Sequence, residues 1–217
     1  LAVPAARAAG RLHQLAVARS STSCSGFAMA DLAKALPALL KHEGGYVDDP
    51  DDAGQATYRG IARRYHPSWG GWEIIDAWRR AGSPIVDTIL YGLVERFYRI
   101  EFWDRFQGDK IQSQAVADWL LNFAVHAGVH RAVETLQRAL NVLNNQGRLW
   151  PDMIRDGKLG PATLRALLAA FVAFRGDELV TVLKGLQVAY YVERMEQRAV
   201  NEKYAGWFDR VSPSASA

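Results

Sequence analysis

The chain has 217 residues, a hydrophobic fraction of 49% and a formal net charge of +3, values typical of a globular protein with a substantial core. No segment approaches the roughly 18 uninterrupted apolar residues that a membrane-spanning helix requires. Cys24 is the only cysteine, which excludes an internal disulfide framework and a zinc site of the CxxC type.

The positive charge is concentrated at the beginning of the chain. The first thirty residues hold three arginines and no acid, so the rest of the chain balances 23 basic with 23 acidic side chains. A surface that binds phosphates normally shows a basic excess or a basic stripe. Neither is visible in this sequence, and we therefore expect no nucleic-acid partner.

Residues 1–29 are rich in Ala, Arg and Ser and lack acids. We expect them to be a disordered extension upstream of a natural start at Met29, although the same composition also describes an organellar transit peptide. Their longest uncharged stretch is interrupted by polar residues, which is untypical of a secretory signal peptide. Synthesis in the cytoplasm without a recognisable signal peptide is therefore expected.

The first predicted helix begins at Asp31, which is placed as an N-cap. Leucines recur at spacings of three and four over residues 32–40, and a Gly-Gly pair directly after Glu43 provides the stop. Glu43 is therefore expected at the end of this helix. Residues 55–62 are the only plausible β element, as a short strand or one arm of a hairpin.

The remainder of the chain predicts helices throughout. Their expected bounds are residues 71–81, 85–105, 113–127, 130–145, 161–175 and 177–201, separated by Gly, Pro or Asn. Pro161 suits the first position of its helix, because its fixed φ and missing N–H are tolerated there. The predicted fold class is all-α, with at most one short β-hairpin.

The segment KHEGGYVDDPDDAGQATYRGI, residues 41–61, combines one glutamate with four aspartates beside chain-bending residues. An EF-hand calcium loop would need a glutamate that closes its twelve-residue loop, and no glutamate stands at that position. A polar turn accounts for several of the aspartates. It does not account for Glu43.

Glu43 has the features of the acid in a glycoside hydrolase. Such an enzyme needs one carboxylic acid that is protonated near neutral pH and often a second carboxylate that stays ionised. A helix C-terminus, and walls formed by Tyr46 or nearby tryptophans, would both favour the protonated form of Glu43. The aspartates of a hydrated turn would stay charged and could supply the second carboxylate.

This segment resembles the N-terminal motif of glycoside hydrolase family 108, the phage endolysin and secretion-activator N-acetylmuramidases. The resemblance continues, in order, through EFWDRFQGDKIQS, VADWLLNFAVHAG, LQRALNVL, DGKLGPATLRAL and GWFDRV, and covers residues 30–212. It implies a helical lysozyme-like fold, with a catalytic region over residues 30–110. A helical, predicted peptidoglycan-binding region over residues 111–212 would pack on it.

The resemblance also implies roles for individual residues. Glu43 corresponds to the catalytic acid. Asp52 and Thr57 follow at a spacing similar to that of phage lysozymes, in which an Asp and a Thr hold the attacking water. Asp49 matches a common position of the motif as well, so the partner of Glu43 stays open, with Asp52 preferred. The implied substrate-binding residues are Tyr46, Asp49, Tyr58, Trp72, Asn122 and His126.

Other candidate residues favour simpler interpretations. His126 and His130 lie four residues apart, a spacing that could serve a metal, but Gly128 stands between them and the glutamate of an HExxH motif is missing. We expect no metal and no cofactor. Trp69, Trp72, Trp78 and Trp103 could stack on sugar rings. Aromatic residues at helical spacing more often belong to the core, and we expect at least one to line the cleft.

The activity implied by the resemblance is that of a monomeric muramidase. It would cleave the β-1,4 bond between N-acetylmuramic acid and N-acetylglucosamine in peptidoglycan glycan strands, at the cell wall or in the periplasm. One alternative is a lytic transglycosylase, which uses a glutamate and no water-positioning aspartate. The other is a non-catalytic wall-binding secretion accessory that kept the fold.

Overall fold

The computed structural model describes residues 28–41, 43–48, 56–173 and 175–211. Seven α-helices account for most of these residues, and the predicted mainly helical class is confirmed. The helices are α1 (Leu32–Leu40), α2 (Gly71–Arg80), α3 (Asp87–Tyr98), α4 (Gln114–Ala127), α5 (Val129–Leu143), α6 (Pro161–Val172) and α7 (Gly176–Gln197). The expected extension, apart from its last two residues, lies outside the described ranges.

Local sequence determines where several helices begin. The Asp31 carboxylate accepts a hydrogen bond of 2.9 Å from the N–H of Ala33, so Asp31 is the N-cap of α1 as predicted. Ser113 caps α4 in the same manner, and Pro161 opens α6. The helix expected over residues 85–105 is shorter, because its α-helical part ends at Tyr98 and continues as a π-helical turn.

The first helix also ends earlier than predicted. Its last residue is Leu40, with Lys41 as the C-cap, and Glu43 lies three residues farther along the chain. The N–H of Glu43 donates a hydrogen bond of 3.4 Å to the carbonyl of Leu40. Glu43 therefore belongs to the loop that leaves α1, and its position is set by that loop and by what packs on it.

Three two-residue strands form a small antiparallel sheet in the order β1 (Tyr46–Val47), β2 (Thr57–Tyr58) and β3 (Ile61–Ala62). The expected hairpin corresponds to β2 and β3, and β1 adds a third strand. Arg59 and Gly60 connect β2 to β3 with φ values of 48° and 77°. A two-residue loop with positive φ at both positions is the type I′ turn that suits a twisted hairpin.

The centre of the core is α4, which packs against α1, α5 and α7. Half of its fourteen residues are buried: Val116, Ala117, Trp119, Leu120, Leu121, Phe123 and Ala124. A helix that is apolar over most of its circumference is expected to lie inside a protein rather than on its surface. Within the described ranges, none of the helices has both the length and the apolar character that crossing a membrane demands.

Candidate active site

Glu43 is enclosed although it lies in a loop. Its side chain is 13% exposed, and its Oε1 atom accepts a hydrogen bond of 2.8 Å from Nη2 of Arg210, whose side chain is 10% exposed. The two residues are 167 positions apart in the sequence. The chain is therefore folded so that its C-terminal part closes over the residue predicted to be the catalytic acid.

The second carboxyl oxygen of Glu43 lies against the β2–β3 turn. A β-carbon added to Gly60 would lie 2.5 Å from Oε2 of Glu43 and 2.7 Å from the hydroxyl oxygen of Tyr98. Glycine is needed here for two reasons, since its φ is positive and the carboxyl approaches its backbone closely. The turn thus determines how near Glu43 can come to the sheet.

Tyr98 forms the inner wall beside Glu43. It is 1% exposed, and its hydroxyl donates a hydrogen bond of 2.8 Å to the carbonyl of Arg59. Burial, together with the negative charge of Glu43, holds the pKa of Tyr98 above its usual value. Tyr98 therefore stays neutral at physiological pH and fixes the turn on which Glu43 rests.

Aromatic rings place Arg210 at this site. The C-terminal segment, Ala199–Arg210, is a 3₁₀-helical stretch that packs along α7. The ring of Tyr191 lies 5.5 Å from that of Trp207 and 6.0 Å from that of Phe208, measured between centroids. Trp207 and Phe208 stand three and two residues before Arg210. Their contacts with Tyr191 therefore fix the part of the segment from which the Arg210 side chain extends.

His126 lies on α4 beside the same aromatic cluster. Its ring is 5.5 Å from that of Tyr191 and 5.6 Å from that of Trp207. Burial, assisted by the positive charge of Arg210, lowers the pKa of His126 to about 4. His126 is therefore neutral near pH 7, where it can donate or accept a hydrogen bond.

Asn122 lies one helical turn before His126. Its side-chain oxygen accepts a hydrogen bond of 3.4 Å from Gln187, which also donates one of 2.8 Å to the hydroxyl of Tyr191. Asn122 is thus linked through Gln187 to Tyr191, the ring that packs on the segment carrying Arg210.

Thr57 and Tyr46 lie on paired strands of the sheet. Thr57 is half-buried in β2, directly opposite Val47, and two residues before the turn that supports Glu43. The guanidinium of Arg79 lies 4.8 Å from the ring centroid of Tyr46, and the Tyr46 hydroxyl donates to Asp48 at 3.1 Å. Tyr46 therefore helps to tie the sheet to α2, in addition to any role at the cleft.

Two residues expected to bind substrate belong to the core instead. Tyr58 is 1% exposed and Trp72 is 2% exposed, so neither ring is open to a saccharide. The Tyr58 hydroxyl donates a hydrogen bond of 2.7 Å to Asp87, and the Trp72 indole donates one of 2.8 Å to the carbonyl of His66. Their placement favours structural support over direct substrate contact. Trp103 is likewise buried.

Asp49 and Asp52, the two aspartates considered as partners of Glu43, lie outside the described residues. Within the described ranges, no group of three or more His, Cys, Asp and Glu side chains is arranged to hold a metal ion. Sequence reasoning did not single out Arg210, Tyr98 or Gly60. The motif GWFDRV contains Arg210, but nothing in it indicates a contact with a residue far away in the sequence.

Two protein-family models match this chain, one after the other. Residues 36–128 match the family model described as Glycosyl hydrolase 108. Residues 131–212 match the model described as Predicted Peptidoglycan domain. Glu43 and the sheet fall within the first match, whereas Arg210 falls within the second.

The solved structure of Brucella abortus SagA is similar to this chain. The two are 27% identical in sequence and superpose with a TM-score of 0.54, over 83% of this chain and 88% of the other. No curated protein sequence matches the chain.

Proposed function

Since residues 36–128 belong to the glycosyl hydrolase 108 family, we propose that this protein is a peptidoglycan hydrolase of the lysozyme type, specifically an N-acetylmuramidase. The observation that carries the proposal is the placement of Glu43, a carboxyl that is 13% exposed and enclosed by Tyr98, Gly60 and Arg210. A largely desolvated carboxyl in a family of glycosidases is suited to act as a general acid.

The proposed reaction cleaves the β-1,4 bond between N-acetylmuramic acid and N-acetylglucosamine. Glu43 donates a proton to the glycosidic oxygen as the bond from that oxygen to the anomeric carbon breaks. Asp52, together with Thr57, holds the water whose oxygen adds to the anomeric carbon. The proton lost by that water passes to the carboxylate of Asp52, so the sugar leaves with a free reducing end.

Further residues are proposed to bind the glycan strand. Asn122 and His126 are candidates on α4, since His126 packs on Tyr191 and Asn122 is linked to Tyr191 through Gln187. Tyr46 is a candidate on β1, where its ring is half-buried. Asp49 stays a prediction from the resemblance.

The division into a catalytic region over residues 30–110 and a wall-binding region over residues 111–212 also stays a proposal. The match of residues 131–212 to a predicted peptidoglycan domain supports peptidoglycan as the partner of this second region. We propose that the protein acts on the cell wall as a monomer.

The test is the clearing of a turbid suspension of purified peptidoglycan sacculi, followed by mass spectrometry of the released fragments. A muramidase releases fragments that end in reducing N-acetylmuramic acid. Mainly 1,6-anhydro ends would instead identify a lytic transglycosylase, in which no water is added. Sacculi that bind the protein but are not cleared would favour the non-catalytic accessory.

A further inference from the structure

Arg210 and Glu43 form a pair in which both side chains are largely removed from solvent, at 10% and 13% exposure. The other ion pairs among the described residues have side chains from 24% to 64% exposed. Desolvating two charged groups is expensive unless the geometry is well fixed. A buried pair that involves the predicted acid therefore calls for a functional explanation.

The guanidinium uses only one arm on Glu43. Nη2 donates to Oε1, whereas Nη1 is buried and has no acceptor in the part of the chain that the structure describes. An arginine that serves only to hold a carboxylate commonly binds both oxygens at once. A buried donor without an acceptor calls for an explanation. The contact of Arg210 with Glu43 is one-sided, made through Nη2 alone.

The single contact also distinguishes the two oxygens of Glu43. A guanidinium has donors and no acceptor, so the oxygen that faces it, Oε1, must accept. When Glu43 carries its catalytic proton, that proton is therefore on Oε2, the oxygen beside Gly60. Oε2 is thus the oxygen that approaches the exposed β2–β3 turn, and it is the one that Arg210 leaves free to carry the proton.

Resting on the muramidase function proposed above, we propose that Arg210 is a positioning residue that orients the carboxyl of Glu43. It holds Oε1 as an acceptor and leaves Oε2 as the oxygen that carries the proton for the glycosidic oxygen. The region matched to a predicted peptidoglycan domain thereby completes the catalytic site, in addition to any binding of the wall. Its aromatic cluster, with Trp207 and Phe208 on Tyr191, is what keeps the guanidinium in place.

The test compares Arg210→Met and Arg210→Lys with the wild type on a soluble tetrasaccharide of alternating N-acetylglucosamine and N-acetylmuramic acid. We expect Arg210→Met to lower kcat by about thirtyfold to a hundredfold, the range caused by misplacing a reacting group by about 1 Å. KM should change by less than about threefold, because remote substrate contacts are kept. Arg210→Lys should recover part of the loss.

Arg198→Met is the matched control, since Arg198 is an exposed arginine directly before the same segment. It should keep wild-type kinetics. A value of kcat for Arg210→Met within twofold of the wild type would overturn the inference while the proposed function stands. Absence of any hydrolysis by the wild type would instead remove the proposed function, and the positioning role with it.

If Arg210→Met folds too poorly for kinetics, a double-mutant cycle of unfolding free energies tests the same coupling. Glu43→Gln, Arg210→Met and the double variant are compared by the urea midpoint of unfolding. If Arg210 acts through Glu43, the double variant should be less destabilised than the two single losses added together. Strictly additive losses would show that the two side chains are not coupled, and would overturn the inference.

Discussion

The N-terminal half, residues 36–128, and the C-terminal half, residues 131–212, differ in the side-chain contacts that join one element to another. Around the sheet and α2, exposed charges pair across short distances, as in Arg79 with Asp48 and Arg63 with Asp76, both at 2.5 Å. In the C-terminal half, the side-chain amide of a buried glutamine joins one element to another. Gln137, which is 2% exposed, donates to Asp156, to the carbonyl of Lys158 and to Thr163.

This difference indicates which contacts can be lost with little loss of stability. Exposed ion pairs contribute between about 0 and 1 kcal/mol each, whereas a buried amide that loses its partners leaves costly unpaired groups. The exposed ion pairs around the sheet and α2 are thus weak contacts, unlike the buried hydrogen bonds of Trp72 and Tyr98. In the C-terminal half, Gln137 and its partners form a buried polar frame between α5 and α6.

The largest effect should come from Glu43→Gln, which tests whether the proton donor lies in the N-terminal half. The amide keeps an oxygen that can accept from Arg210 but cannot deliver a proton to a leaving group. We expect the clearing of sacculi to fall by about a thousandfold, within the range for loss of a general acid. Binding to sacculi, measured by co-sedimentation, should persist.

Glu73→Gln is the control for that change, because Glu73 is an exposed glutamate in the first turn of α2. It should clear sacculi at the wild-type rate. Retention of more than a few per cent of activity by Glu43→Gln would sink the assignment of the acid. Loss of sacculus binding by the same variant would show that the two halves cannot be separated in function.

The next largest effect should come from Asp52→Asn. If Asp52 holds the attacking water with Thr57, its loss should lower turnover by about a hundredfold, as removal of a general base usually does. Substrate binding should change little. Asp49→Asn and Asp51→Asn, assayed beside it, should have far smaller effects. If Asp49→Asn is the more damaging change, the partner is Asp49 and the chemistry is unaltered.

A third prediction concerns the frame rather than the chemistry. Gln137→Ala removes an amide whose oxygen also accepts a hydrogen bond of 3.0 Å from the N–H of Gly157. We expect the free energy of unfolding in urea to fall by about 2–4 kcal/mol, since several buried groups lose their partner together. The turnover of the folded fraction should stay within about twofold, because the amide lies outside the site.

Arg138→Ala is the matched control on the same helix. Arg138 is exposed, so its replacement should change the free energy of unfolding by no more than about 0.5 kcal/mol. An unchanged stability in Gln137→Ala would contradict the description of the C-terminal half as a frame held by buried amides.

Sequence patterns predicted the helices of both halves because helix formation depends on nearby residues. Apolar spacing, the cap at Asp31 and the proline at position 161 all act within a few residues of one another. The predicted end of the first helix at Glu43 was wrong by three residues. A Gly-Gly pair marks where a helix cannot continue, but it does not determine how much earlier the last turn unwinds.

The candidate site was predicted only in part for a related reason. Glu43 stands out because it lies beside turn residues in one short segment. Arg210 is 167 residues away, and its motif contains nothing to distinguish a partner of the acid from an ordinary surface arginine. Tyr58 and Trp72 show the reverse case, since aromatic side chains near the acid suggested sugar contacts and packing buried them.

The smallest predicted effect tests the boundary between the two halves, where His126 of α4 meets Tyr191 and Trp207. Its pKa of about 4 lies below the ordinary value of 6.5, so the unfolded chain binds this proton more tightly than the folded one. The contribution of His126 to stability is therefore complete above pH 6.5. It is lost progressively as the pH falls from 6.5 toward 4.

Lowering the pH from 7.5 to 5 should thus reduce the free energy of unfolding by about 1–2 kcal/mol more in the wild type than in His126→Asn. Urea unfolding at the two pH values measures this difference. An equal pH dependence in the wild type and His126→Asn would show that the ring is hydrated, and that the aromatic contacts do not seal the boundary.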